Sequence, residues 1–192
     1  WGVLSLGSAL VQVQETPSRE NWYYFDPITA IMQTGAVNRG GTLYGYKDNG
    51  EILTGWYTNG KGQVYHANGA GILSIGSVYI PVKENASISD WYFFDGKTAL
   101  MQTGPVAMGT WLQCYYENGR LVHGGWATVY GKTYYADPTN QRLATGHVQI
   151  DGKWYDFDTT GALVTQLKGI DVSSNNGVID WAKVKADGMD FV

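Results

Sequence analysis

Few side chains in this 192-residue chain are equipped for covalent chemistry, and their spacing narrows what they do. Cys114 is the single cysteine, so no intrachain disulfide forms, and within a strand it reads as a small half-buried hydrophobe rather than a nucleophile. His66, His123 and His147 lie far apart without metal-ligand spacing and read as surface or loop residues, so neither a metal nor a cofactor is expected. Asp171 is an acid embedded in the short apolar strand Gly169-Ile170-Asp171-Val172-Ser173, where by itself it reads as an Asx-turn or loop-capping group. Aromatics are far more abundant: 14 Tyr and 8 Trp, whose faces stabilise sheets through cross-strand pairs or, where left open, attract a cation.

The elements that position these rings are repeats. WYYFDPITAIMQTG at 22–35 and WYFFDGKTALMQTG at 91–104 share an aromatic cluster, a polar turn, a short apolar pair and a Thr-Gly close. Weaker copies at 43–55, 64–76, 112–124, 133–146 and 154–166 give a unit of about 20 residues. Six of the seven close on Gly, while Gln166 takes that place in the last, where the array is expected to end. The aromatic half of a unit alternates with a period of two, as in Trp154-Tyr155-Asp156-Phe157-Asp158. Turns such as Asn49-Gly50, Asn118-Gly119 and Thr160-Gly161 follow, then short apolar segments such as Ala162-Leu163-Val164, which predicts a β-hairpin across the turn. A lone hairpin is marginal in water, so the units must stack, and an all-β solenoid of stacked β-hairpin repeats is expected over 20–166. Residues 1–19 read as the tail of a preceding repeat plus one strand. Residues 77–90, with Pro81 and Lys83-Glu84-Asn85, break the rhythm as a longer loop or irregular strand pair and are expected to split the array in two.

After Gln166 the pattern changes. A strand at Gly169–Ser173, a turn at Ser174–Gly177, a helix capped by Asp180 that ends near Gly188, and a strand at Met189–Val192 predict the β-α-β opening of a (β/α) barrel over 167–192. The chain starts at Trp1 without Met and stops inside an apolar run, so both ends read as cut. Net charge is −4 with a sequence pI near 5.2 and no basic run, which argues against a nucleic-acid partner. No apolar run approaches the ~20 residues of a membrane span.

The repeats resemble the choline-binding and related cell-wall-binding repeats of Gram-positive surface proteins and phage lysins, most clearly through Trp22–Phe25 with Met32–Gly35 and Trp91–Phe94 with Met101–Gly104. The tail, GIDVSSNNGVIDWAKVKADGMDFV, resembles the start of the family 25 glycoside hydrolases, the muramidases that cut peptidoglycan. The two resemblances together imply a secreted, wall-bound lysozyme: repeats that hold a bacterial cell-wall polymer, either peptidoglycan or choline- or sugar-decorated teichoic acid, beside a catalytic barrel. Asp171 then takes the place of an active-site carboxylate, while the Glu general acid of a later Asp-x-Glu motif falls beyond this chain, so residues 1–192 alone are expected to be inactive. Ser173 and Asn175 read as turn residues and Trp181 as packing against the barrel. The alternatives are a non-enzymatic adhesin or a glucan-binding repeat protein.

In choline-binding relatives, two aromatics of one repeat and one of the next cage a quaternary ammonium, which implies a Trp directly after the Thr-Gly close. Only Gly55-Trp56 and Gly125-Trp126 supply it; Ala36, Pro105 and His147 are among the residues that stand there elsewhere. The sites so implied are Trp56 with Tyr65, and Trp126 with Tyr134 and then Trp154 or Tyr155 of the next hairpin.

Overall fold

The structure, a computed structural model, describes residues 5–14, 19–165 and 178–186. Asp171, Ser173 and Asn175, and with them the strand expected to open a barrel, lie outside the described residues.

Among the described residues, fourteen strands pair in chain order into seven two-stranded antiparallel sheets, giving the all-β solenoid of stacked hairpins. They are β1 (Gly7–Gln14) with β2 (Arg19–Phe25), β3 (Gly35–Arg39) with β4 (Thr42–Tyr46), and β5 (Gly55–Thr58) with β6 (Val64–Ala67). Then come β7 (Gly76–Val82) with β8 (Asn85–Phe94), β9 (Gly104–Met108) with β10 (Trp111–Tyr115), β11 (Gly125–Val129) with β12 (Lys132–Ala136), and β13 (Gly146–Ile150) with β14 (Lys153–Phe157). Each aromatic strand pairs with the segment before it, not with the apolar segment after its turn. Past Asn49-Gly50, for instance, only the isolated bridge Tyr46↔Ile52 forms. The hairpin predicted from sequence is therefore displaced by one arm. The two-residue turns Gly40-Gly41, Tyr130-Gly131 and Asp151-Gly152, with positive φ at both positions, close three of the hairpins instead, because that backbone twist matches the flanking strands.

The short segment after each turn has another task. Its amide reaches back to the previous hairpin: Ile52 to the Trp22 carbonyl, Leu73 to Leu43, Met101 to Val64, Leu121 to Trp91, Leu143 to Leu112 and Leu163 to Thr133, all at 2.7–3.0 Å. These bonds satisfy edge groups that an isolated hairpin would leave open, and they couple neighbours along the array. The bond from Met101 to Val64 crosses the region of 77–90. That region is an elongated hairpin with a register shift at Pro81/Val82, and it does not split the array.

Strand register exposes a longer repeat. A Gly faces the last residue of every aromatic strand, and those residues run Phe25, Tyr46, Ala67, then Phe94, Tyr115, Ala136, then Phe157. Three hairpins thus form a unit that recurs 69 residues later, as from Trp22 to Trp91 and Tyr46 to Tyr115. Within each unit a methionine lies against the turn glycine of the next hairpin. A Cβ on Gly50 would sit 2.3 Å from Met32 Sδ, and one on Gly119 would sit 2.3 Å from Met101 Sδ. One core cluster gathers Cys114, Val122, Val129, Tyr134 and Ala136; another gathers Leu53, Tyr65, Ala67 and Leu73. Cys114 is fully buried rather than half-buried, and burial pushes its thiol up to about 11.

Beyond the array, α1 (Trp181–Ala186) is capped by Asp180, whose Oδ1 accepts the Lys183 amide at 3.1 Å. Trp181 is exposed.

Candidate functional site

Two equivalent aromatic boxes follow from the register. Trp126 on β11 faces Tyr135 on β12, so these two rings share a face of their hairpin and meet edge-on at 5.1 Å. From the next hairpin come Tyr155, edge-on at 4.8 Å, and Phe157, stacked at 6.0 Å. Trp126 remains 42% exposed, leaving ring surface open to solvent. The structure thus brings Trp126 and Tyr155 together, and it adds Tyr135 and Phe157. It does not bring Tyr134 to them: Tyr134 pairs with Ala127 on the opposite face and is buried in the core. Trp154 also points away from Trp126, stacking on His147 at 4.5 Å with nearly parallel planes. The turn Tyr130-Gly131 carried the missing signal, because a two-residue hairpin turn there sets Tyr135, not Tyr134, opposite Trp126.

The box at Trp56 has the same plan. Trp56 faces His66 across β5 and β6 at 5.0 Å, with Tyr92 at 4.8 Å and Phe94 at 5.9 Å from the next hairpin. Tyr65 is not part of it, since it pairs with Tyr57 on the other face and is buried. His66, expected at the surface, is instead partly enclosed beside Trp56, and that burial lowers its pKa from the ordinary 6.5. The elongated β7–β8 hairpin covers this box. Trp56 Nε1 donates to the Pro81 carbonyl at 2.8 Å, Lys83 Nζ donates to Thr58 Oγ1 at 2.9 Å, and Tyr92 is only 1% exposed. One plan yields a lidded box at Trp56 and an open one at Trp126.

Electrostatics differ between the two three-hairpin units. Asp90, 2% exposed, accepts bonds from Arg120 Nε at 2.6 Å and the Trp91 amide at 2.8 Å, and it pairs with His123 Nε2 at 2.6 Å. Burial pushes its carboxyl up, but the bonds from Arg120, Trp91 and His123 together outweigh this and hold it below the ordinary value. In the first unit Asn21 and Glu51 occupy the positions of Asp90 and Arg120. There Arg39 lies over the rings of Tyr24 and Tyr44 at 4.6 and 4.5 Å and donates to Tyr46 Oη at 3.0 Å. Among the described residues, no group of three or more His, Cys, Asp or Glu could hold a metal, and no helix is long and apolar enough to cross a membrane.

The fold and its aromatic boxes define a class, the hairpin solenoids whose neighbouring repeats share aromatic side chains. More particularly, residues 18–27 and 145–163 match the family described as "Putative cell wall binding repeat". A solved structure of choline binding protein F from Streptococcus pneumoniae is 26% identical, with a TM-score of 0.55 over 89% of this chain and 56% of its own. A second structure of that protein, with a peptidoglycan analogue, is 24% identical, with a TM-score of 0.56 over 83% and 52%. Glucosyltransferase-S of Streptococcus mutans is 26% identical over 165 residues, 83% of this chain but 11% of that protein. The match to the repeat family is confined to those two segments, while the hairpin fold is similar to that of choline binding protein F over most of the chain; the chain spans about half the length of the solved relatives and a ninth of the glucosyltransferase.

Proposed function

We propose that this repeat array attaches its protein, secreted or surface-bound, to a choline-decorated bacterial wall polymer through the box at Trp126. The observation that carries the reading is the open corner made by Trp126, Tyr135 and Tyr155, with Phe157 behind it. Ring faces attract a quaternary ammonium through their quadrupole at about 0.5–2 kcal/mol each, and a polymer that engages several weak sites gains by avidity. The acidic net charge gives an anionic polymer no bulk attraction, so recognition falls to the aromatic faces. Trp126→Ala is expected to lose retention on choline resin while Trp22→Ala keeps it; equal retention of the two variants would sink the assignment.

The domain assignment stands with this reading: a preceding-repeat remnant and strand over 1–19, wall-binding repeats over 20–166 and the start of a muramidase barrel over 167–192. The sequence motif around Asp171 and the Asp180-capped α1 support the barrel, with Asp171 as one active-site carboxylate and the general acid supplied from beyond residue 192. Residues 1–192 alone are then expected to leave wall suspensions turbid. A second reading, attachment to glucan, is favoured by the match to the glucosyltransferase over 83% of the chain. Retention on dextran but not on choline resin would select it.

A further inference from the structure

The 69-residue repeat builds one cleft twice, away from the two aromatic boxes. The same six positions line both copies: Ser8, Trp22, Arg39, Tyr44, Tyr46 and Ile52 in the first, and Ser77, Trp91, Met108, Gln113, Tyr115 and Leu121 in the second. The first copy encloses about 320 Å³ and the second about 550 Å³. Side-chain identity accounts for the difference. In the first copy the guanidinium of Arg39 lies between Tyr24 and Tyr44, held by Tyr46 Oη, so it takes up part of the cleft. In the second copy Met108 replaces Arg39, Gln113 replaces Tyr44, and no guanidinium enters among the lining residues.

We propose that the second cleft binds a neutral pyranoside unit of a polysaccharide. Its chemistry is that of a sugar site: apolar ring faces with a few convergent polar groups, in a volume within the ordinary range for small ligands. Trp91 is 42% exposed and its ring is propped by Tyr79 at 5.5 Å; Trp111 is steadied by the Arg142 guanidinium over its ring at 4.8 Å. Either indole offers a flat face to the C–H side of a pyranose. Tyr115 Oη donates to Gln113 Oε1 at 3.0 Å, which fixes that amide, and among the described residues its Nε2 makes no hydrogen bond and is left to donate to a hydroxyl. The side-chain amide of Gln141, the hydroxyl of Ser77 and the imidazole of His123 complete the polar lining.

Charge argues against other ligands. The nearby carboxylate, Asp90, is buried and held by Arg120 and His123, so it offers nothing to a cation; Arg120 is engaged by Asp90, and the Arg142 guanidinium lies over the Trp111 ring. A hydroxyl-rich ligand that stacks on an indole and needs no ion pair fits this lining best. This inference is independent of the Trp126 box, because the two sites share no residue.

The test uses the 192-residue chain and calorimetric titration with two probes, an N-acetylglucosamine tetramer for wall glycan and isomaltotetraose for α-glucan. One or both are expected to bind at one site per chain, and the probe that binds identifies the source. Trp91→Ala and Met108→Arg, the latter importing the plug of the first copy, are each expected to weaken binding at least about tenfold. Excess choline chloride is expected to leave the affinity unchanged. Circular dichroism checks the fold of each variant, and Met108→Arg carries the test if Trp91→Ala unfolds. Failure of both probes to bind, unchanged affinity in folded Met108→Arg, or displacement by choline would each overturn the proposal. Retention on choline resin is unaffected by any of these outcomes, so the reading of Trp126 stands or falls separately.

Discussion

The two boxes predict opposite consequences for one substitution. Trp56→Ala removes a ring that is half-buried under the β7–β8 hairpin, together with its Nε1 bond to the Pro81 carbonyl and its contacts with Tyr92 and Phe94. Truncating a fully buried Trp to Ala costs about 3–5 kcal/mol. With partial burial and one hydrogen bond lost at about 1 kcal/mol, roughly 3 kcal/mol is expected. Trp126→Ala removes an exposed ring with no hydrogen bond of its own among the described residues; its three ring pairs contribute about 0.5–1.5 kcal/mol each, and because the ring is open to solvent roughly 1.5–2 kcal/mol, the low end of their sum, is expected in all. The measurement is thermal unfolding by far-UV circular dichroism, which does not depend on the deleted fluorophore. At about 2–4 °C per kcal/mol for a chain of this size, Trp56→Ala should melt several degrees below Trp126→Ala. Choline should raise the melting temperature of Trp56→Ala and of the unaltered protein but not that of Trp126→Ala. An equal or larger loss of stability in Trp126→Ala would show that the elongated hairpin is no lid over Trp56, and the distinction between closed and open boxes would fall.

Asp90→Asn should lower stability by roughly 1.5–3 kcal/mol through loss of its charge-assisted bonds. Because the carboxyl of Asp90 is held below its unfolded value, its contribution is present above about pH 4 and is lost as pH falls through the folded pKa; melting temperature against pH should drop more steeply in acid for the unaltered protein than for the variant. His66, lowered by burial, is favoured neutral in the fold, so its contribution is present above about pH 6.5 and fades below it; an imidazole titrating above 6.5 by NMR would contradict the enclosed box. Cys114 should resist a thiol reagent at pH 8 until denaturant is added, since its thiol is buried and raised to about 11, and immediate modification would contradict its place in the core. Gly119→Ala should cost about 1–2 kcal/mol, because φ is +83° and the new Cβ meets the Met101 thioether; an unchanged denaturation midpoint would remove the Met–Gly lock.

The sequence by itself determined the class of fold. Period-two aromatics, turn residues at fixed intervals and a unit too small to bury a core leave stacking as the stable outcome. The cap at Asp180 was equally legible, since a capping bond spans three residues. The tertiary structure decided which rings of neighbouring hairpins meet, although within β11–β12 the turn Tyr130-Gly131 already held the register. Side chains on a strand alternate faces, so a pairing shift of one residue exchanges Tyr134 for Tyr135 and Tyr65 for His66, and the aromatic spacing fits either choice. The pairing partner was equally hidden, because the two apolar residues after each turn look like a second strand until their amides are seen bonding the hairpin before. The contrast between a lidded Trp56 and an open Trp126 depends on where the tip of β7–β8 folds, a long-range contact with no local signature in the chain.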